Sequence, residues 1–343
     1  MTSPKPHVLF INMASGYGGG EVQTEVLISL SAEHYECYFY GKQSGKIRAS
    51  LQSKNINVKI LNFWQCVQLA RRHSDLIVHT HDGRGAHVGY LLKCLTACRL
   101  IITRRMTKPL KRGLSTLAYR KADCLVGVSQ QIAAMLRPLN SHTRVVYGGV
   151  NPSREDIEFE QHYFSLPHTR LRVAHVGNLQ PVKNFELTIK LAALYPQIEF
   201  YIVGSGVLES SLKEQAKELA NVFFIPFTPF VGSVFKNVDL QILPSLSEGL
   251  GVVILEGYRY GVPVMANHVG GIPEIVLDGE TGILVENNLL EGYCAFLDKI
   301  QRHELDLQKL SQQARAFMVS HDFTKERMAR EYWEIYQQLL SSR

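Results

Sequence analysis

The chain has 343 residues, 45% hydrophobic and 20% charged, which suits a soluble globular protein of about two domains and excludes a disordered or fibrous one. Its net charge of +6 is modestly basic and points no further than to an anionic partner. No apolar run reaches the roughly 18 residues of a membrane span, and no secretion signal is expected, because Met1 to Lys5 leads straight into a strand. The six cysteines show no paired spacing, so free thiols in a reducing cytoplasm are expected.

Taken in order, His7 to Met13 reads as a buried strand that runs into a glycine turn from Ser15 to Glu21 and then an amphipathic helix. Such a turn lets backbone approach a phosphate closely, but a tight turn without a ligand explains it equally well. Two short strands around a helix from Lys46 to Lys54 follow, then a helix over Phe63 to Arg72. A strand from Leu76 to His79 ends beside His81, which a parallel sheet would carry to the same edge as the glycine turn.

From Lys93 to Lys121 the chain carries nine cations and no acid. Arg104, Arg105, Lys108, Lys111 and Arg112 are its densest part, and the expectation is a basic face for an anionic partner or an acidic membrane surface. A merely solvated face is the plain alternative. Nucleic acid is not expected, because no aromatic stacking platform accompanies the cations. Asp123 to Val128 is a strand, and Ser129 caps the helix after it. The stretch Gly148 to Pro152 and a polar segment to Arg170 read as an interdomain connection, separating domains at 1–150 and 170–322.

The second domain repeats the strand, glycine turn and helix pattern at Gly177 and at Gly204 to Gly206. Ile242 and Leu243 end a further strand, and Glu248, Gly249, Leu250 and Gly251 then lead into the apolar run VVILEGYRY. With a helix starting near Gly249, Glu248 and Glu256 would both lie towards its N-terminal end. Free amides there suit a diphosphate, and carboxylates beside them accept hydrogen bonds from sugar hydroxyls. Gly270 to Ile275 is a second glycine turn. Three helices close the chain, the last with an apolar stripe at Met328, Tyr332, Ile335, Tyr336 and Leu339.

The order EGLG, EGYRYGVPV, GGIPEIV and DGETGILV, over about forty residues, resembles the retaining glycosyltransferases of family 4 (group 1). The resemblance implies an α/β GT-B fold, two Rossmann-like α/β/α domains facing an interdomain cleft, with the helix at 323–343 returning to the first. It implies catalytic roles for Glu248, His81 (or His79) and Lys183. Donor contacts would come from Gly18, Gly19, Asn178, Lys183, Glu248, Gly249, Leu250, Gly251 and Glu256, with Phe227 and Thr228 near the base. Asn178 departs from the family, which places an arginine there; asparagine supplies no charge.

The implied function is retaining, metal-independent transfer of a sugar from a UDP- or GDP-linked donor to a cell-envelope glycan or glycolipid, in lipopolysaccharide or polysaccharide biosynthesis. It is expected in the cytoplasm, with peripheral contact to the inner membrane. The nucleotide-sugar is a substrate, so no cofactor is expected. No Asp-x-Asp occurs, so no metal bridging the diphosphate is implied. Two alternatives remain: a non-catalytic nucleotide-sugar-binding subunit and a nucleotide-sugar epimerase.

Overall fold

A computed structural model describes residues 5–110, 113–164 and 169–342. The chain divides into two compact units, Met1–Gly149 with Phe323–Arg343, and Val150–Asp322. Among the described residues, unit 1 holds a seven-stranded sheet of β1 (His7–Asn12), β2 (Glu36–Gly41), β3 (Lys59–Ile60), β4 (Ile77–Thr80), β5 (Arg99–Arg104), β6 (Cys124–Gly127) and β7 (Thr143–Val145). The strands run parallel in the order β3-β2-β1-β4-β5-β6-β7.

Both faces of this sheet are covered, which is why its inner strands are continuous apolar runs. In β1, Leu9 and Ile11 enter one core while Val8 and Phe10 enter the other. The connecting helices are α1 (Gly19–Ser31), α2 (Lys46–Ser53), α3 (Phe63–Arg72), α4 (Gly83–Leu95), α5 (Leu114–Lys121) and α6 (Gln130–Leu136). Ser129 caps α6, its hydroxyl accepting from the Ile132 amide at 3.3 Å.

Unit 2 is built on β8 (Arg172–Val176), β9 (Glu199–Val203), β10 (Val222–Ile225), β11 (Leu240–Leu243), β12 (Val264–Asn267) and β13 (Gly282–Val285). These run parallel in the order β10-β9-β8-β11-β12-β13. Its helices are α7 (Ile157–Tyr163), α8 (Phe185–Leu194), α9 (Glu209–Gln215), α10 (Val231–Lys236), α11 (Val252–Tyr258), α12 (Leu290–Gln301) and α13 (Leu307–Ser320). The strand order reverses direction between β1 and β4 in one unit and between β8 and β11 in the other. Those are the places where open α/β sheets part their loops and take ligands.

The last helix, α14 (Lys325–Ser341), belongs to unit 1. Its stripe of Met328, Tyr332, Ile335 and Tyr336 is buried in the core that holds Val8 and Phe10. Each phenylalanine-sized side chain so buried stabilises by roughly 1.5–3 kcal/mol. Gln23 fixes the end of the first segment: its amide donates to the Gly149 carbonyl at 2.7 Å and accepts from the Gly149 amide at 2.8 Å. A Cβ on Gly149 would stand 2.5 Å from the Lys325 Cα, so only glycine fits there.

The structure differs from the expectation in three stretches. RLIITR forms β5 within the basic run, and the polar segment after Pro152 carries α7, capped by the Asp156 carboxylate on the Phe159 amide at 2.8 Å. The third is α11, which begins at Val252, because Gly251 adopts φ +87° and a helix cannot pass through it.

Candidate active site

In unit 2 the loops leaving β8, β9, β11 and β12 close on one another through their backbones. A Cβ on Gly204 would stand 2.0 Å from the Gly177 carbonyl oxygen, and one on Gly270 would stand 1.9 Å from that of Glu248. Both glycines also have positive φ, so glycine is required twice over. Leu246 donates its amide to the Val182 carbonyl at 2.8 Å, tying the turn after β11 to the 3-10 turn Pro181–Lys183.

On this backbone frame the Lys183 ammonium donates to Glu248 Oε1. Ser245 Oγ donates to the same oxygen at 2.9 Å. The Ser245 carbonyl in turn accepts from Asn267 Nδ2 at 3.0 Å, and Tyr293 donates to Asn267 Oδ1 at 2.6 Å. Lys183 and Glu248 are therefore together at the edge where β8 and β11 part, and both keep some exposure, 22% and 11% of their side chains. Ser245 was not expected from the sequence, since nothing distinguishes it from an ordinary strand-end serine.

Glu256 lies in the second turn of α11, not at its first turn, and Glu248 lies in the loop ahead of the helix. Burial pushes the Glu256 carboxyl up to about 7, against a smaller lowering by Arg259. Leu250 is buried, while Gly249 and Asn178 are partly exposed. Phe227 is exposed on the loop after β10, and Thr228 beside it is buried. His175 stacks on Phe185 at 3.6 Å between ring centres, and its Nδ1 meets Thr188 Oγ1 at 2.9 Å.

In unit 1 the loops after β1 and β4 meet where Asp82 Oδ1 accepts from the Met13 amide at 2.8 Å. The Gly18 amide donates to Glu21 Oε2 at 3.0 Å, so it is already occupied, whereas a Cβ on Gly19 would meet nothing within 4 Å. His79 is fully buried with both ring nitrogens engaged, by Tyr336 and Thr103 at 2.7 Å each. His81 is also buried, but its Nε2 has no hydrogen-bond partner among the described residues. Burial, followed by the neighbouring His79 and Arg105, holds His81 well below the ordinary histidine range and hence neutral.

The basic run is not one exposed face. Lys93 pairs with Asp123, just beyond the run, and Arg104 lies over the Tyr119 ring and donates to the Lys108 carbonyl. Arg105 turns inward beside His81, because it directly follows β5 and its neighbours are the buried loop ends. Lys108 is exposed, as are Met106, Leu114 and Leu117. Lys111 and Arg112 lie outside the described residues. Among the described residues no group of three or more histidine, cysteine or acidic side chains is placed to hold a metal, and no helix is long and apolar enough to cross a membrane.

The model of the glycosyl transferases group 1 matches residues 156–317. An uncharacterized glycosyltransferase of Haemophilus influenzae is 36% identical over 169 residues, 47% of each chain. The D-inositol 3-phosphate glycosyltransferase of Mycolicibacterium smegmatis is 28% identical over 262 residues, 66% of this chain and 60% of its own. The chain thus spans 47% and 60% of the length of these two curated relatives. Among solved structures, that of Anabaena Alr3699/HepE in complex with UDP-glucose superposes with a TM-score of 0.81 at 18% identity, covering 97% of this chain and 100% of that one. The fold is GT-B, α/β with two Rossmann-like units. The match to the glycosyl transferases group 1 thus falls on residues 156–317, which make up most of unit 2.

Proposed function

We propose that the protein is a retaining, metal-independent glycosyltransferase of family 4 that moves a sugar from a UDP- or GDP-linked donor to an anionic envelope glycan or glycolipid. The observation that carries this reading is the Lys183–Glu248 pair, held with Ser245 at the strand-end edge of unit 2. A lone ammonium beside a carboxylate, in a loop frame too tight for any side chain, suits a phosphate oxygen next to a sugar hydroxyl.

In the proposed reaction the bond between the sugar's anomeric carbon and the diphosphate oxygen breaks, and the acceptor oxygen bonds to that carbon on the same face. The acceptor's proton passes to the departing phosphate. Lys183 stabilises the charge growing on that phosphate, Glu248 releases Lys183 and grips the sugar hydroxyls, and Glu256 accepts from the ribose. Support for a nucleotide-sugar comes from the group 1 family and from the UDP-glucose bound in the Anabaena protein. Support for an anionic acceptor comes from Lys108, Arg120 and Lys121, which are exposed, as are Met106, Leu114 and Leu117. The reading places the protein in the cytoplasm, in contact with the membrane's inner surface.

Turnover of radiolabelled UDP- and GDP-sugars with a lipid-extract acceptor tests the reading. Product with the anomeric configuration of the donor, formed in the presence of chelator, is expected. Conversion of the donor to its epimer without acceptor would replace transfer by epimerisation, and binding without any turnover would leave a non-catalytic subunit.

A further inference from the structure

The two tryptophans of the chain have opposite settings. Trp333 is partly buried and donates from Nε1 to Ser31 Oγ at 3.0 Å. Trp64, in the first turn of α3, is 72% exposed, and its Nε1 donates to no described residue. Phe63 meets it edge to face at 5.6 Å between ring centres, and Tyr40 lies 6.3 Å from Phe63. Phe63 and Tyr40 pack against the core that holds Leu9 and Ile11, and Trp64 stands out from it. Only Leu61 and Asn62 separate β3 from α3, so these rings lie at the strand-end edge of unit 1. The surrounding charge has one sign: from Cys37 to Ser74 there are seven lysines and arginines and no acid. Lys54 and Lys59 pair with Glu25 and Glu36, and Arg71 and Arg72 fall in the last turn of α3, away from that edge. Lys42, two residues beyond Tyr40, and Lys46, opening α2, have no ion pair among the described residues.

We infer that Trp64, backed by Phe63 and Tyr40, is a stacking platform for a sugar ring of an anionic glycan, whose acid group falls to Lys42 and Lys46. The C–H face of a pyranose is apolar and weakly positive, and it fits the negative face of an indole. Its hydroxyl rim suits the Trp64 N–H, the Tyr40 hydroxyl and the exposed amides of Gln65 and Gln68. A helix lying in a membrane surface would show an apolar stripe instead, whereas beyond Trp64 the exposed positions of α3 are Gln65, Gln68, Arg71 and Arg72. β3 is three strand spacings, roughly 14 Å, from β4 and His81. The ring held here is therefore not the one that reacts but one further along the acceptor. In naming the glycan as acceptor the inference rests on the glycosyltransfer reading.

The test follows the indole N–H signals of both tryptophans by NMR in the full chain labelled with 15N-tryptophan, assigned with Trp64→Ala. Methyl β-D-glucuronide and methyl β-D-glucoside are added separately at constant ionic strength, and vesicles of phosphatidylcholine with phosphatidylglycerol are added to a further sample. A saturable shift of the Trp64 signal alone is expected, with the glucuronide bound about threefold more tightly than the glucoside. No shift with either sugar, or equal affinity for the two, overturns the platform, and a shift with vesicles but not with sugars replaces it by a membrane contact. Transfer to the lipid-extract acceptor is measured on the same protein. Trp64→Ala, a change at an exposed side chain, should raise the apparent KM for acceptor about tenfold with a much smaller effect on kcat. An unchanged acceptor KM also overturns the platform. A sugar response without any transfer retires the glycosyltransfer reading alone, and transfer without a sugar response retires this platform alone.

Discussion

Lys183 and Glu248, 65 positions apart, meet in an ion pair that joins the turn after β8 to the turn after β11. The carboxylate occupies the ammonium that the proposed diphosphate needs, so donor binding has to part the two. Glu248→Gln is therefore expected to bind UDP as tightly as wild type or more tightly, yet to transfer sugar at least about tenfold more slowly, roughly 1.4 kcal/mol of barrier. Lys183→Ala is expected to lose both UDP affinity and transfer by a similar factor. Calorimetric titration with UDP beside initial rates decides it, and weaker UDP binding by Glu248→Gln counts against the exchange of partners.

Glu256 predicts a pH dependence. Its folded carboxyl is raised from an ordinary value near 4.5 to about 7, so the folded chain holds that proton more tightly than the unfolded one. The favourable contribution is complete below the ordinary range and is lost as pH rises through about 7. Glu256→Gln removes the loss. Relative to wild type it should gain on the order of 2 kcal/mol at pH 8 and little at pH 4, as read from thermal or urea unfolding of the unliganded protein. A gain that does not grow with pH would show that the carboxyl is not desolvated.

The two histidines of β4 and its end should separate structure from chemistry. His79→Ala leaves Tyr336 and Thr103 without their shared partner and opens a void, at about 2–4 kcal/mol. His81→Ala deletes a ring whose Nε2 has no partner among the described residues. It should therefore cost less stability and lower transfer, and melting temperatures beside rates on both variants check the contrast. Equal destabilisation with unchanged transfer in His81→Ala would make it a core residue.

Arg172 is a purely structural cation. Only 1% exposed, it donates to Glu199 at 3.0 Å and lies over Phe164, while Tyr201 donates to the same Glu199 oxygen at 2.9 Å. Arg172→Met leaves that carboxylate uncompensated and is expected to cost about 3 kcal/mol. The midpoint of urea unfolding measures it, followed by a probe in unit 2.

Binding to vesicles tests the exposed face at Lys108. Sedimentation with anionic liposomes should fall steeply between low and physiological salt, and Lys108→Glu together with Lys121→Glu should weaken it, at about 1 kcal/mol per cation. Equal binding to neutral vesicles removes the membrane from the proposal.

The strands that bury both faces were readable as apolar runs, as HVLFIN and LRVAHV show, and so was the α11 helix in spite of its β-branched residues. RLIITR was not, because arginines at its two ends merged it with the basic run, although its four central residues are buried. IEFEQHY was read as a connection because only one of its seven side chains is buried, leaving little periodicity to detect. In the site, Lys183 and Glu248 could be named one by one from their neighbours in sequence, but not their pairing. Arg105 shows the opposite case: charge alone placed it with its neighbours on one basic face, and the place of β5 between β4 and β6 turns it inward.

Since α14 completes the core around Phe10 and supplies the hydroxyl that holds His79, unit 1 is assembled from two segments that lie on either side of unit 2 in sequence. During synthesis the first segment of unit 1 must wait, with part of one sheet face open beside α1 and α2, until α14 leaves the ribosome, while Val150–Asp322 is already whole. The later-made half should thus mature first, and a chain stopped before Phe323 should yield a sound second half attached to an aggregation-prone first.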